Sequence, residues 1–530
     1  MIDVLFSHRS SEAGQIVLAA LRRSVSMSQA RHVARCDVRA AASKTVVAVD
    51  VSDEDGQVLV DWMGAATVGS GAKDKLVVFG RLPDALAALL ESRSCERPDD
   101  LACAARSAAA ASRQTAASSA EVRYEALSAR LGGRAWVRPF ERFDFTDEWN
   151  NLGFGAIRVD GSIWSVRDAV DVPHSARLAS VYVDGERRFS YAGLWDLDAV
   201  SVLWFNRAVG PCDSFEWRTI ENFLSGYRAG ELPCQPVVSE IPWGFDAAVT
   251  SRLDCDEDVE SARPLWQAYR TLGIPFSLAV HTSNLREPAN HAILRELAAD
   301  PSAAILSHTA THAPNWGGSY EAAFEEGRAS ARAIEAVTGK PVRYAVSPFH
   351  QSPRYALEAL ADVGYAGCIG GIIRNDPEFV LARAGALAGM QQDFIGHSQQ
   401  CMLHGDCMLA EGDPLSVFKQ AFDLAYETNT FFGYLDHPFS PRYQYGWLGE
   451  AERIRAHEQL IAHIHGRANR PLFLNEDAAM DFLRAKAASR VIEADDEFLL
   501  LPSRDVETEL SLAVEFRGER VEMIPGGRLK

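Results

Sequence analysis

The sequence predicts an α/β protein whose second half folds as a distorted (β/α) barrel, and three patterns along its 530 residues lead to this fold class. From Phe245 onward, apolar runs of about five residues alternate with helix-length periodic segments, as in repeated βα units. Earlier runs are less regular, and those after residue 491 are typical of a few short strands. We therefore expect an N-terminal α/β accessory region at 1–240, a barrel at 245–488 and a C-terminal β appendage at 489–530.

The N-terminal region begins with strands followed by helices, which predicts a small α/β unit. Apolar runs at 45–51 and 75–79 lead into the helical pattern PDALAALLESR. An Ala/Ser-rich stretch at about 101–120 has little to bury in a core, and it predicts either an exposed helix or a mobile linker. The accessory region could therefore consist of two subdomains. Further apolar runs follow at 156–166, 178–191 and 199–209, the last leading into the helical segment FEWRTIENFLSGYR.

Seven short apolar runs are candidate barrel strands. They lie at 246–253, 275–280, 303–307, 342–347, 366–372, 431–436 and 471–475, and an eighth is expected near FVLAR at 379–383. Seven or eight such repeats are the number that a complete or distorted (β/α) barrel needs.

Composition and charge indicate a globular protein and exclude some partners. Hydrophobic residues make up 47% of the chain and charged residues 24%, as in ordinary folded domains. The net charge of −19 argues against nucleic acid and anionic membrane surfaces, because both need a basic footprint. No apolar window reaches the roughly 18 residues of a spanning helix, and the start lacks a secretory signal pattern. The nine cysteines form no CxxC pair, so we expect reduced thiols and a cytoplasmic location.

Metal-binding residue types follow several of the candidate strands. Asp254 and Asp256 follow the strand at 246–253, His308 and His312 follow the strand at 303–307, and His437 follows the strand at 431–436. The carboxyl ends of barrel strands meet on one face, where active sites of such barrels are built. These side chains are therefore expected to lie close together.

Each motif alone has an ordinary explanation. His308 and His312 are four apart, so one helical turn would direct both imidazoles at one point, but such a pair is common without a metal. Asp256 or Asp258 could equally cap the helix that runs through ARPLWQAYRTLG. Their joint occurrence at the ends of different strands favours a metal site formed by Asp256, His308 and His312.

Taken together, these motifs resemble the polysaccharide deacetylase family with the NodB homology domain. That family has an acidic first motif, an HxxxH second motif, an aromatic-proline third motif and a late Leu-x-His type motif. The counterparts here are Asp254 with Asp256, HTATH at 308–312, Pro348 with Phe349, and LDH at 435–437. The spaced pair in RLDCDED is similar to the deformylase branch of the lipid A aminoarabinose pathway. The resemblance covers roughly residues 245–485.

The resemblance and the residue chemistry imply the same roles. One divalent metal ion, zinc by preference with cobalt, nickel or manganese as alternatives, would be held by Asp256, His308 and His312 and would lower the pKa of bound water to about 7. Asp254 is expected to be the general base. His437 is expected to protonate the leaving amine, or else simply to end its strand.

The third motif departs from the family pattern. The family carries an arginine ahead of the prolines, where this chain has Val346 and Ser347. Arg252 or Arg374 could replace it, or either could be a solvated charge, and Asp376 is the candidate for the acid of the fourth family motif. The candidate substrate-binding residues are Arg252, Pro348, Phe349, Arg374, Asp376, His404, Tyr445 and Trp447.

Two late segments have unusual composition. HSQQCMLHGDC at 397–407 has poor helical or strand character and could hold a second metal at His397, His404 and Asp406. DHPFSPRYQYGW at 436–447 interleaves aromatic and polar residues. Its rings could either wall a glycan cleft or cover the barrel rim, and they are Phe439, Tyr443, Tyr445 and Trp447.

The sequence thus predicts metal-dependent hydrolysis of an amide, with N-deacetylation of an N-acetylated sugar in a polysaccharide or glycoconjugate precursor as the leading interpretation. A deformylase or cyclic-amide hydrolase with the same metal site is the first alternative. An inactive barrel that binds glycan or a partner protein is the second. The oligomeric state is left open.

Overall fold

The computed structural model describes most of the chain, namely residues 1–40, 43–69, 73–105, 119–140, 157–211, 213–370, 383–391, 393–440, 443–494 and 497–530. Its helices are α1 (Ser11–Val25), α2 (Arg35–Ala40), α3 (Asp53–Gly69), α4 (Asp84–Leu89), α5 (Leu101–Ala104), α6 (Ser214–Ser225), α7 (Arg263–Leu272), α8 (Asn290–Ala299), α9 (Tyr320–Thr338), α10 (Arg354–Val363), α11 (Ser416–Glu427), α12 (Glu450–Arg467) and α13 (Glu476–Ala488).

Local sequence signals place several helix ends. Ser319 caps α9 by accepting a hydrogen bond from the backbone of Ala322, and the helix ends at Gly339, whose φ of 71° suits glycine. Asn475 caps α13 in the same way. Asp258 caps a short 3₁₀ turn at Val259–Ala262 just before α7, so Asp256 is not the cap and is available for other contacts.

The strands of the N-terminal half are β1 (Ile2–Leu5), β2 (Ala30–Val33), β3 (Thr45–Val49), β4 (Asp74–Phe79), β5 (Arg93–Ser94), β6 (Ala120–Tyr124), β7 (Trp136–Pro139), β8 (Val170–Asp171), β9 (Arg177–Val183), β10 (Glu186–Asp196), β11 (Val200–Phe205) and β12 (Val237–Val238). Nine of them form one sheet in the order β2-β1-β3-β4-β11-β10-β9-β6-β7. The first four pair in parallel, which fits the predicted α/β unit, whereas β9 to β11 are antiparallel neighbours.

The Ala/Ser-rich stretch lies mostly outside the described residues. Its described start forms α5 and its end enters β6. The candidate run at 156–166 contributes only isolated bridges, among them Val166 to Arg207. The domain boundaries and the accessory role of the N-terminal half stay predictions.

The strands of the second half are β13 (Ala247–Cys255), β14 (Phe276–Val280), β15 (Ala303–Ser307), β16 (Tyr344–Val346), β17 (Gly367–Gly370), β18 (Gly385–Ala386), β19 (Ile395–Ser398), β20 (Cys401–Met402), β21 (Phe432–Asp436) and β22 (Pro471–Leu474). They follow the path β18-β19-β17-β16-β15-β14-β13-β21-β20, and β22 also pairs with β13. Every pairing except that of β18 with β19 is parallel. The repeated parallel βα units are thus confirmed, while a closed barrel stays a prediction.

The segment at 397–407 corrects the sequence interpretation, because part of it is strand. Ile395–Ser398 pairs with β17, and Cys401–Met402 pairs with β21. Between them, the backbone of Gln399 donates to Gly370 and that of Gln400 donates to Gly433. Pairing on neighbouring strands thus overrides the weak local preference of a polar sequence. The eighth strand expected near FVLAR falls largely outside the described residues.

The last strands are β23 (Arg490–Ala494), β24 (Glu497–Leu501), β25 (Ala513–Phe516), β26 (Glu519–Glu522) and β27 (Arg528–Leu529). β23, β24 and β27 form one small sheet, and β25 and β26 form another with β12. The predicted β structure of this region is therefore present, but part of it is completed by Val237–Val238, which precedes the parallel strands of the second half.

A buried ionic contact joins the two halves of the chain. Arg383 Nε and Nη2 donate to Glu221 Oε1 and Oε2 at 2.8 and 2.6 Å. Glu221 lies on α6 and also accepts from Ser24 Oγ at 2.7 Å, whereas Arg383 also donates to Thr430 just before β21. Both charged side chains are almost fully buried. One hydrophobic cluster likewise contains residues of both halves, including Trp217 and Phe422.

Within the described residues, no helix combines the length and apolar character needed to cross a membrane. The eight cysteines of that part of the chain are free thiols.

Candidate active site with a metal-binding cluster

The predicted site residues line one cavity at the carboxyl ends of the parallel strands. β13 pairs with β14 on one side and with β21 on the other, so the ends of these strands lie side by side. The cavity has a volume of about 350 Å³. It is lined by Asp254, Asp256, Glu257, His281, His308, His312, Ser347, Phe349, His350, His437, Tyr443 and Tyr445.

Asp256, His308 and His312 converge on one point. Asp256 Oδ1 lies 3.2 Å from His308 Nε2 and 3.4 Å from His312 Nε2, and the two Nε2 atoms are 3.1 Å apart. Among the described residues, this is the group of three ligand-type side chains whose donor atoms lie within 4.8 Å of one another. Two imidazole nitrogens and a carboxylate oxygen are a donor set that zinc and related divalent ions accept.

The contacts and orientation of these donor atoms suit a bound cation. Asp256 Oδ1 is buried without a hydrogen bond of acceptable geometry. His308 Nδ1 lies 3.2 Å from the carbonyl of Val346, so a proton on Nδ1 leaves the Nε2 lone pair facing the cluster. The residues present therefore fit a divalent metal ion.

Charges around the cluster favour an ionised carboxylate and a neutral His312. Burial raises the pKa of Asp256, but His308 and the other nearby imidazoles outweigh it and hold that pKa well below the ordinary value. Burial, and then the neighbouring His308, lower the pKa of His312 to about 4. Burial also acts to lower the pKa of His308, yet Asp254 and Asp256 raise it overall.

The HxxxH segment reaches this geometry without a helical turn. The expectation that one helical turn would direct both imidazoles at one point is therefore wrong. Residues 308–312 are irregular, with Thr309 at φ 67° and His312 at φ 55°. The backbone N–H of His312 donates to Thr309 Oγ1 at 2.8 Å, which folds the segment back on itself. The two imidazoles meet because left-handed residues turn the chain, and Thr309 holds that turn.

Asp254 is held by Arg252 on the same strand. Arg252 Nε and Nη2 lie 2.6 and 3.2 Å from the two carboxylate oxygens, and both side chains are buried. Burial raises the pKa of Asp254, but Arg252 and then His308 outweigh it and lower the pKa to about 2. The structure thus places an arginine on the predicted base, although the third motif lacks one. Arg252 itself does not line the cavity.

His437 faces the metal-binding cluster from β21. Its Nε2 lies 3.7 Å from Asp256 Oδ2, and its Nδ1 lies 2.7 Å from His404 Nε2. The ring of Tyr445 stacks on it at a centroid distance of 4.3 Å and an angle of 19°. His437 is therefore both anchored and directed into the cavity.

Asp436 fixes the backbone at this strand end. Its Oδ1 accepts the N–H of His437 at 2.8 Å, and its Oδ2 contacts His457 Nε2 at 2.9 Å and Arg453 Nη1 at 3.3 Å. Burial raises its pKa, but His457 and then Arg453 outweigh it and lower the pKa to about 2. His457 is held in turn by Tyr269, whose hydroxyl lies 2.8 Å from its Nδ1.

The other predicted residues divide by location. Phe349 and Tyr443 are 41% and 44% exposed at the cavity mouth, and the ring of Phe349 lies 4.4 Å from that of His312. Tyr445 also lines the cavity. Pro348 is buried beside it, Trp447 is buried in the hydrophobic cluster, and Phe439 packs against that cluster. Arg374 and Asp376 lie outside the described residues.

His397, His404 and Asp406 do not assemble as a second metal group in the described part of the chain. His404 bonds His437, His397 is buried on β19, and Asp406 is exposed.

Four cavity residues were not singled out from the sequence, namely Glu257, His281, Ser347 and His350. His281 directly follows β14, and its Nδ1 lies 3.1 Å from the carbonyl of Asp256. His350 follows the Pro348–Phe349 motif, and burial lowers its pKa to about 3. Both histidines follow a strand, so the same pattern that predicted the other site residues, a polar side chain soon after each strand, applies to them.

The backbone around the cavity is unusually strained. Thr309, His312, Phe349, His350 and Tyr445 all have φ values between 48° and 67°. Such residues cost about 1–3 kcal/mol each and concentrate at functional sites. Their position around one cavity supports its choice as the candidate active site.

The chain is similar to several solved structures. Among solved structures, a putative polysaccharide deacetylase from Mycobacterium smegmatis is 12% identical and covers 47% of this chain and 94% of its own, with a TM-score of 0.36. PuuE allantoinase is 10% identical over 46% and 91%, with a TM-score of 0.34. The Xyl-CE4 domain of a multidomain xylanase from the hindgut metagenome of Trinervitermes trinervoides is 13% identical over 44% and 90%, with a TM-score of 0.30.

No curated protein matches the chain. The similarity to the deformylase branch stays a prediction. Residues 254–368, which include the Asp256, His308 and His312 cluster, match the polysaccharide deacetylase family.

Proposed function

We propose that this protein is a metal-dependent amide hydrolase that removes the acetyl group from an N-acetylated sugar. The observation that carries the proposal is the convergence of Asp256, His308 and His312 beside Asp254 and His437 in one cavity. The family match over 254–368 supports the reaction class. Zinc is the preferred ion for this donor set, with cobalt, nickel and manganese as alternatives.

A bound divalent ion would polarise the amide carbonyl and make water more acidic. The protein's own residues supply the proton transfers. Asp254, kept ionised and oriented by Arg252, accepts a proton from the attacking water. Because Arg252 uses two N–H groups, the carboxylate cannot rotate freely away from the cavity.

His437 supplies the proton that the leaving nitrogen needs. An amine anion is a very poor leaving group, so amide cleavage requires a general acid, which typically contributes about 10²–10⁴-fold. The Nε2 of His437 lies 3.7 Å from Asp256 Oδ2, and His437 lines the same cavity as Asp254. The proposed base lies on β13, and the proposed acid directly follows the neighbouring strand β21.

The rim suits a sugar. Phe349, Tyr443 and Tyr445 expose aromatic surface around a polar floor, and aromatic faces stack on sugar rings by apolar contact. We infer a substrate in a polysaccharide or glycoconjugate precursor. The cytoplasmic location stays a prediction.

A second candidate keeps the same site but cleaves a formamide or a cyclic amide. Its support is the spacing of Asp254 and Asp256 with one residue between them. The third interpretation, an inactive binding protein, has less support, because Arg252 contacts both carboxylate oxygens of Asp254 although the third motif lacks an arginine.

Substitutions separate the roles of the two aspartates and the histidines. We expect Asp254→Asn to abolish turnover and to keep about one metal ion per chain, whereas His308→Ala should lose both. Asp258→Asn is the matched control, because asparagine still caps the following turn. Elemental analysis and release of acetate or formate from acylated amino sugars measure these outcomes. Near-full activity of Asp254→Asn would show that the base is assigned wrongly.

A further inference from the structure

The neighbour of His437 is a second histidine rather than a carboxylate. β20 and β21 are parallel partners in which Met402 lies opposite Leu435, and the same register continued by two residues brings His404 opposite His437. The two rings lie 4.8 Å apart between centroids, and His404 Nε2 is 2.7 Å from His437 Nδ1. Both residues are only 5% exposed.

A contact of 2.7 Å between two ring nitrogens holds one proton. When His437 acts as a general acid it is an imidazolium with protons on both nitrogens, so its Nδ1 donates across this contact and His404 Nε2 accepts. Burial, and then the nearby His437, lower the pKa of His404 to about 3, which agrees with a neutral acceptor. His437 therefore carries the Nδ1 proton. Its other nitrogen, Nε2, is then directed at the cavity, 3.7 Å from Asp256 Oδ2.

Other groups around the pair are already engaged. Asp436 Oδ1 lies 3.8 Å from His404 Nε2, but it accepts the backbone N–H of His437. Tyr445 covers both rings, at 4.3 Å from His437 and 4.9 Å from His404. In the described part of the chain, His404 is thus the side chain that bonds Nδ1 of His437.

We propose that His404 is the positioning residue of the general acid, accepting the Nδ1–H of His437 and thereby turning the Nε2–H toward the leaving nitrogen. This role rests on the proposed function. When the C–N bond of the tetrahedral adduct breaks, its electron pair stays on nitrogen, which takes the Nε2 proton. His437 is left as a neutral imidazole that still donates its Nδ1–H to His404.

The metal-loaded enzyme tests this role with two substrates. For His404→Ala we expect kcat on an N-acetylated amino sugar to fall about 10–100-fold with KM and metal content unchanged. 4-Nitrophenyl acetate should lose much less, because nitrophenolate leaves without a proton. His404→Gln, whose side-chain carbonyl can accept the Nδ1–H, should recover part of the loss. His463→Ala, on the outer part of α12, is the matched control.

Two further measurements exclude a merely structural role. The double variant His404→Ala with His437→Ala should be no slower on the amide than His437→Ala alone, because both substitutions remove the same proton donation. In protein with ¹⁵N-labelled histidine, the hydrogen-bonded Nδ1–H resonance of His437, assigned by its loss in His437→Ala, should be present in the wild type and absent in His404→Ala.

Equal losses on both substrates, additive effects in the double variant, or an Nδ1–H resonance that survives in His404→Ala would each overturn the positioning role. A wild-type enzyme that cleaves no amide would instead sink the proposed function. The NMR measurement would then still decide whether His404 accepts the proton of His437.

Discussion

Replacing Arg252 by glutamine should raise the pKa of the predicted base Asp254 and destabilise the fold at the same time. The pKa of Asp254 is lowered from 3.8 to about 2, which corresponds to about 2 kcal/mol in favour of the buried carboxylate. Burial alone would raise that pKa, so Arg252 and His308 supply more than this net amount. Removing one partner of a buried ion pair typically costs about 3–5 kcal/mol, and we expect the unfolding free energy to fall by that order.

The pH dependence has a defined sign. Because the folded pKa of Asp254 is lowered, its contribution to stability is fully present above the ordinary value and is lost as the pH falls through about 2. In Arg252→Gln the pKa rises, so the acid limb of kcat/KM should move to higher pH.

Denaturant unfolding and kcat/KM measured from acid to neutral pH test this prediction. Arg252→Lys serves as the comparison, because it keeps the charge but loses the two-pronged contact, and we expect an intermediate result. If Arg252→Gln keeps both the wild-type acid limb and the wild-type unfolding free energy, the reasoning about this pair is refuted.

Three further predictions concern the metal, the strand end and the rim. Removal of the metal with a chelator should abolish turnover. It should also lower the unfolding free energy, by about 4 kcal/mol where the ion had been at a thousandfold excess over its Kd. Scanning calorimetry before and after zinc, cobalt, nickel or manganese is restored measures this change in stability. Asp436→Asn should lower the unfolding free energy by about 3–5 kcal/mol, measured by denaturant unfolding, because His457 and Arg453 lose their carboxylate partner. In the wild type, the stabilising contribution of this carboxylate disappears as the pH falls from 3.8 through about 2. A change in unfolding free energy below experimental error would count against the network. Tyr443→Ala should raise KM for a sugar substrate roughly 2–10-fold with little change in kcat, as steady-state kinetics would show, and a loss confined to kcat would contradict a stacking role.

The grouping of the candidate site residues could be predicted from the sequence because it depends on strand ends. Asp256, His308 and His437 each follow a recognisable apolar run, and parallel strands bring their carboxyl ends to one edge. The helical reason for the HxxxH pair was wrong, since spacing does not reveal the left-handed turn at Thr309.

The remaining features depend on pairing between distant segments. The polar side chains of Ile395–Met402 are buried together with the apolar ones, so the segment lacks the alternation of apolar and polar residues that would predict a strand. Its backbone hydrogen bonds are instead made by pairing with β17 and β21. The His404 to His437 contact follows from the register of β20 on β21, which no local pattern encodes. Arg252 could be read as a solvated charge until the structure showed it buried against Asp254.

The buried contact between Glu221 and Arg383 limits where the chain can be cut. A fragment that starts at residue 245 would keep Arg383 and Thr430 but lose the carboxylate that neutralises the guanidinium. The same cut would divide the hydrophobic cluster that contains Trp217 and Phe422. Fragments excised at residue 245 should therefore be less stable than the full chain, and any fragment designed for expression should keep α6 with the second half.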